Sequence, residues 1–91
     1  MPLGDIAALD EWGERENPPY LTWRAVRDWI AGLADAPWQA PSVPFPELSD
    51  PPSYEIRTAE VPDVGGVEVF YRHQLGDGLV DLVWVGTARG G

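Results

Sequence analysis

The chain contains no cysteine, no lysine and a single histidine. The absence of cysteine excludes disulfides, a thiol nucleophile and Cys-ligated zinc or iron–sulfur centres. One histidine cannot build a metal cluster, so we expect no cofactor and no metal. Residues 1–9 lack a basic residue and an apolar run of signal-peptide length, and no stretch approaches the roughly 18 apolar residues of a membrane span. The sequence therefore predicts a soluble cytoplasmic protein.

Basic residues are also scarce, because six arginines stand against fifteen acidic residues, for a formal net charge of -9. This charge repels phosphate backbones and anionic lipid surfaces. We therefore expect no membrane contact and no direct nucleic-acid binding, and instead a basic protein partner or a homodimer. Charge alone also permits a DNA-mimic inhibitor. The 91 residues, 44% of them hydrophobic, fit one small folded domain and exclude a doubly wound or barrel enzyme.

Two segments near the N-terminus have helical patterns. Apolar residues recur at intervals of three and four within residues 21–33, and they are Trp23, Val26, Ile30 and Leu33. Residues 6–9 form a shorter apolar stretch that Gly13 and the Asn17-Pro18-Pro19 breaker should end. We expect residues 1–19 to be an N-terminal arm or short helix, and residues 20–91 to form a single α+β domain.

Residues 36–52 contain six prolines, which exclude a helix or a central strand there. We expect an extended, proline-rich crossover whose large apolar side chains, Trp38, Phe45 and Leu48, lie on the core. After residue 52 the apolar period becomes two, and turn residues separate three strands. The predicted fold is α+β, with one or two N-terminal helices, a proline-rich crossover and an antiparallel β-meander of three or more strands.

The last hairpin has a register that the sequence itself suggests. A four-residue loop at 75–78 pairs Arg72 with Asp81, Tyr71 with Leu82, Phe70 with Val83 and Val69 with Trp84. The face packed on the helices would then carry Val69, Tyr71, Val80, Leu82 and Trp84. Phe70 and Val83 would lie on the opposite face, which we expect to be covered by the crossover or by a partner chain.

Two aromatic side chains find no place in this predicted core. They are Trp12, in the N-terminal arm, and Phe70, on the outer sheet face. Aromatic residues are enriched at the centres of protein contacts. We therefore predict an interface made of Trp12, Phe70, Glu68 and Val83, and a small acidic, non-catalytic binding or regulatory protein.

The order of a helix, a proline-containing crossover and three antiparallel strands also resembles the small toxins of the RelE/ParE superfamily. The residues that carry this likeness are Leu33, Pro37, Tyr54, Ile56, Arg57, Val69, Tyr71, Arg72, Gly86 and Arg89. The likeness covers residues 21–89. It implies, as an alternative function, a divergent toxin-like ribonuclease of a toxin–antitoxin system.

The resemblance also implies a set of catalytic residues for this alternative. Arg57, Arg72 and Arg89 would hold phosphate, and Tyr71 or His73 would assist proton transfer. The chain differs from the family at positions of expected catalytic residues. Val67 and Glu68 stand where the family has a basic residue in the second strand. Thr87 replaces the usual histidine. A site without lysine in so acidic a chain opposes phosphate binding. The non-catalytic function is therefore the first expectation.

Overall fold

In the part of the chain that the structure describes, two helices precede one four-stranded antiparallel sheet. The structure is a computed structural model that describes residues 6–33, 35–38, 42–76 and 78–87. The elements are α1 (Ala7–Glu16), α2 (Tyr20–Gly32), β1 (Val43–Pro44), a 3-10 turn (Pro46–Leu48), β2 (Tyr54–Glu60), β3 (Val67–Gln74) and β4 (Val80–Thr87). The strands lie in the order β1-β2-β3-β4, each antiparallel to its neighbour. The predicted α+β class and meander are confirmed.

The helix α2 buries the apolar stripe that its spacing predicts. Val26, Ile30 and Leu33 are almost fully inaccessible, and Trp23 and Trp29 pack partly buried against the same core. These positions share one side of a helix because three or four residues complete about one turn. The stripe lies against the sheet face formed by Val67, Val69, Tyr71, Val80, Leu82 and Val85.

The helix α1 is a full part of the core. Trp12 is 1% exposed and lies in the core cluster with Ala8 and Leu9, while α1 packs on β4. The expectation that Trp12 has no place in the core is therefore wrong. The short apolar stretch at residues 6–9 does not show which face of the helix is buried. The contact of α1 with β4 determines that the face with Trp12 is buried.

The sequence suggested that Gly13 ends α1, but Gly13 lies inside the helix. The helix continues to Glu16 and is terminated by Asn17, whose left-handed backbone (φ 45°) lets its N–H reach the Gly13 carbonyl at 3.0 Å. A Cβ at position 13 would lie 3.2 Å from Nε1 of Trp23. Gly13 thus leaves room for the Trp23 indole against α1.

The β3–β4 hairpin follows the expected register only near its loop. Arg72 pairs with Asp81 and Tyr71 with Leu82, as predicted. A β-bulge then leaves Val83 without a partner on β3, so that the next pairs are Phe70 with Trp84 and Val69 with Val85. The predicted pairs of Phe70 with Val83 and of Val69 with Trp84 are wrong, because the bulge inserts one extra residue into β4.

The bulge changes which β4 side chain enters the core. Val85 is buried against the helices, whereas Trp84, expected on the core face, is 40% exposed. Side chains of a strand alternate between its two faces, so one inserted residue moves every later side chain to the other face.

The second half of the proline-rich crossover lies along the edge of the sheet and over the face turned away from the helices. Val43 and Pro44 pair with β2, and the Phe45 N–H donates to the Ile56 carbonyl at 2.8 Å. Trp38 and Leu48 are both more than half exposed, so the expectation that they lie on the core is wrong. Proline lacks the N–H needed inside a sheet, which confines this segment to the edge.

The last turn of α1 occupies part of the free edge of β4. The Arg15 guanidinium donates to the Val85 carbonyl, and the Glu16 carboxylate accepts from the N–H (3.3 Å) and the hydroxyl of Thr87. Unpaired edge groups invite association with other strands, and polar side chains that occupy them reduce this tendency. The hydrogen bond from the Thr87 hydroxyl is also the main cause that lowers the pKa of Glu16 below its ordinary value of 4.5.

Thr87→Val should lower stability at neutral pH and by less in acid. The pKa of Glu16 is lower in the folded protein than its ordinary value of 4.5. The stability that the Glu16 carboxylate contributes is therefore fully present above about pH 4.5 and is lost as the pH falls through the lowered pKa. We expect a cost below about 1 kcal/mol, since the pair is at the surface. Urea unfolding across this pH range measures it.

Thr58→Val is the matched control, because the Thr58 hydroxyl bonds to no group in the described part of the chain. The difference in unfolding free energy between Thr58→Val and the native protein should not change with pH in this range. A Thr87→Val difference that stayed constant into acid would contradict the role given to Glu16.

Candidate functional site

The sheet has an inner face against the helices and an outer face directed away from them. On β3, the buried residues Val67, Val69 and Tyr71 alternate with less buried ones, which places the latter on the outer face. Cross-strand pairing extends this assignment to the neighbouring strands. The outer face carries Tyr54, Ile56, Thr58, Glu60, Glu68, Phe70, Arg72, Gln74, Asp81 and Trp84.

The crossover covers one part of the outer face. Ile56 is only 6% exposed, although it points away from the helices. Its N–H donates to the Ser49 hydroxyl at 2.9 Å, and that hydroxyl lies 2.9 Å from the Phe45 carbonyl, so residues 45–49 fold over this strand. The sequence analysis expected either the crossover or a partner chain to cover the outer face. The crossover covers its β2 part.

The β4 side of the outer face remains open. Val83 is 52% exposed and Trp84 is 40% exposed. The Trp84 ring meets Phe70 edge-on at 6.1 Å, and Phe70 in turn meets Phe45 at 5.8 Å. These contacts form an aromatic row, Phe45–Phe70–Trp84, that runs from the covered part to the open part.

Gly86 fixes the position of the Trp84 ring. A Cβ at position 86 would overlap the Cη2 and Cζ2 atoms of this ring, so the six-membered ring lies directly over the Gly86 backbone. A glycine inside a strand often marks such a close approach. Gly86 is also the cross-strand partner of Glu68. The indole therefore occupies the side-chain space next to Glu68.

Two carboxylates stand opposite each other at the same end of the outer face. Glu60 and Glu68 are direct cross-strand partners. Neither makes an ion pair or a side-chain hydrogen bond with any residue that the structure describes. Like charges in this position repel, and side chains so placed have Cβ atoms about 4.5–5.5 Å apart. The pair thus forms an uncompensated negative site beside the aromatic row.

Three of the four predicted interface residues lie around this open region. Phe70 and Glu68 are on the outer face, and Val83 is exposed at the bulge. Trp12 is in the core instead, and its predicted interface role has no exposed surface to act through. Sequence reasoning missed Trp84, and the glycine two residues after it was the one signal in the strand that could have indicated an irregularity.

A polar network lies on the inner side of the sheet, where the crossover leaves α2. The Tyr71 hydroxyl donates to the Pro37 carbonyl and lies 2.6 Å from the Ser42 hydroxyl. Arg57 donates from Nε to the Ser42 hydroxyl at 2.6 Å and from Nη1 to Glu55 at 2.8 Å. The network ties the crossover to β2 and β3.

Burial raises the pKa of the Tyr71 phenol, partly offset by the hydrogen bond with Ser42. The phenol is completely inaccessible, and it stays protonated at neutral pH. Tyr71 therefore acts here as a hydrogen-bonding group within the fold rather than as an accessible proton acceptor.

The described residues of the alternative catalytic set do not converge. Arg57 and Tyr71 are cross-strand partners on the inner side, and His73 follows on that side with its ring 5.9 Å from that of Trp38. Arg72 lies on the outer face, 3.4 Å from the Asp81 carboxylate. Arg89 lies outside the described residues. Arg57 and Arg72 thus cannot hold one phosphate group from a common side of the sheet.

A shallow groove of about 200 Å³ lies beside the crossover. Its walls are Pro44, Pro46, Ser49, Pro51, Glu55 and Leu75. Glu55, its charged lining residue, is already paired with Arg57. The groove is smaller than the roughly 300–1,000 Å³ of typical ligand sites, and three of these six lining residues are prolines.

Tyr71→Phe should cost about 1–3 kcal/mol of unfolding free energy, because it leaves the buried Pro37 carbonyl without its donor. Urea unfolding measures this cost. Tyr54→Phe is the control, since the Tyr54 hydroxyl has no hydrogen bond in the described chain. Equal effects of the two changes would argue against the network as a tie for the crossover.

Gly86→Ala should displace the Trp84 indole, since the added methyl occupies the position of the ring. Overpacking of this kind costs about 1–3 kcal/mol. NMR of the indole N–H groups would show the Trp84 signal shifted. Gly76→Ala adds a methyl with no atom within 4 Å and serves as the control. An unshifted Trp84 signal in Gly86→Ala would contradict the ring position.

Comparison of the chain with protein-family models, curated proteins and solved structures finds no match to any of them. Among the described residues, no helix has the length and apolarity to cross a membrane. The same residues contain no group of three or more His, Asp or Glu side chains that could hold a metal ion. These residues form a small α+β fold of two N-terminal helices and a four-stranded antiparallel sheet.

Proposed function

We propose that this chain is a small acidic binding protein that engages a basic protein partner through the open part of its outer sheet face. The observation that carries the proposal is the exposed Trp84, whose ring lies beside the uncompensated Glu60–Glu68 pair, with Val83 exposed next to Trp84 in the chain. This combination offers apolar area and negative charge at one place.

The energetics of contact formation favour such a surface. Aromatic side chains bury 150–250 Å² each and dominate many interfaces, and Trp is enriched among the residues that matter most. Phe70, half-buried on the neighbouring strand, meets the Trp84 ring edge-on, and together with the Gly86 backbone it holds the exposed ring in a fixed position. A rigid ring loses little conformational freedom on binding, so more of the contact energy is retained.

The charge distribution favours a basic partner over a second copy of the chain. Two copies docked by this face in a twofold arrangement would bring two Glu60–Glu68 pairs together, in addition to a net charge of -9 on each chain. A basic partner instead gains attraction from both the pair and the overall charge.

The test is an NMR titration of the labelled protein with a synthetic peptide of alternating arginine and leucine. We expect shifts confined to the open outer face around Val83 and Trp84. Trp84→Ala should weaken binding about tenfold or more, which corresponds to the loss of a strong contact residue. A peptide of alternating glutamate and leucine should not bind.

Trp38→Ala is the matched control, because Trp38 is 63% exposed but lies against His73, on the other side of the sheet. It should leave the affinity unchanged. Shifts on the helices instead of the outer face, or equal binding by Trp84→Ala and the native chain, would refute the proposed surface.

The alternative is a divergent RelE/ParE-like ribonuclease, supported by the element order and by the pairing of Arg57 with Tyr71. It has weaker support, since Tyr71 is inaccessible and Arg57 is bonded to Glu55 and Ser42. Growth arrest on expression of the intact chain, relieved by Arg57→Ala with Arg72→Ala in soluble protein, would favour it. Normal growth would favour the binding function.

A further inference from the structure

We infer that the open outer face docks an arginine-bearing segment of the partner, with one guanidinium seated between the Glu60–Glu68 pair and the Trp84 ring. This inference rests on the proposed function and specifies the chemistry of its partner. It follows from the position of three groups on neighbouring strands.

The three groups form a row across the sheet. Glu60 on β2 pairs with Glu68 on β3, and Glu68 pairs with Gly86 on β4. Because the Trp84 ring fills the space over Gly86, the row consists of a carboxylate, a second carboxylate and an aromatic ring. Neighbouring strands are about 4.7–4.9 Å apart, so one side chain can contact all three.

A guanidinium fits this row better than an ammonium. It is planar, presents several N–H donors that match carboxylate oxygens, and stacks on aromatic rings. An ammonium group is a compact point charge that stays strongly hydrated. A guanidinium between the two glutamates would also relieve their repulsion, which no described residue now compensates.

The chain itself shows that its aromatic rings accept guanidinium groups. Arg15 places its Cζ atom 5.8 Å from the centre of the Trp84 ring, and Arg27 lies 5.4 Å from that of Trp23. Arg15 reaches Trp84 from the free edge of β4, where it also bonds to Val85. The glutamate pair lies on β2 and β3, on the opposite side of Trp84 from this free edge.

The aromatic row extends this site along the face. Phe70 and Val83 provide apolar surface next to Trp84, where a partner residue adjacent to the arginine would pack. An extended segment alternates its side chains, so residues two apart point to the same face. The segment we expect therefore has an arginine and an apolar residue at alternate positions.

The experiment compares two double variants that each remove two negative charges. Glu60→Gln with Glu68→Gln removes the pair, whereas Glu11→Gln with Glu14→Gln changes two exposed residues of α1 that bond to no described side chain. Binding of the arginine–leucine peptide and of its lysine–leucine counterpart is measured by calorimetry at one fixed ionic strength. Urea unfolding verifies that both variants fold.

We expect the Glu60 and Glu68 variant to lose about tenfold or more in affinity for the arginine peptide. It should also lose the preference for arginine over lysine that the native chain shows. The Glu11 and Glu14 variant should stay within about twofold of the native affinity. Its preference for arginine should be unchanged.

Three results would overturn the inference in different ways. Equal weakening by the two double variants would mean that only overall charge acts, and equal native affinity for both peptides would refute the arginine preference. In either case the proposed binding function stands if Trp84→Ala still weakens binding. If neither the arginine–leucine nor the lysine–leucine peptide bound to the native chain, the proposed function would be refuted as well.

Discussion

The unpaired residue Val83 determines which side of the sheet each later side chain of β4 occupies. Without the bulge, Trp84 would enter the core and Val85 would face outward. With it, the smaller Val85 packs beneath α1, where Trp12 supplies the large aromatic group. One inserted residue thus decides both the packing of the first helix and the composition of the outer face.

The position of α1 in turn protects the strand that carries the bulge. Arg15 and Glu16 bond to Val85 and Thr87, so the far end of the β4 edge is occupied by side chains. Arg15 also lies against Trp84, which links the helix to the aromatic row. The edge and the outer face are therefore organised by the same helix terminus.

The crossover explains why only part of the outer face is open. Tyr71 and Arg57 hold residues 37 and 42 at the inner side of the sheet, and the chain then passes the edge at β1 and folds over Ile56. It reaches Phe70 through Phe45 but leaves Trp84 and Val83 exposed. The exposed remainder, with the Glu60–Glu68 pair, is the surface on which the proposed function depends.

The sequence alone determined the elements whose signals are local. The stripe of α2, the α+β class and the pairs of Arg72 with Asp81 and Tyr71 with Leu82 follow from short-range periodicity and loop length. Only the tertiary structure decided the burial of Trp12, the outward position of Trp84 and the row of Glu60, Glu68 and the Trp84 ring. A bulge changes the period by one residue with little local signal, and the face that a short helix buries depends on the strand it meets.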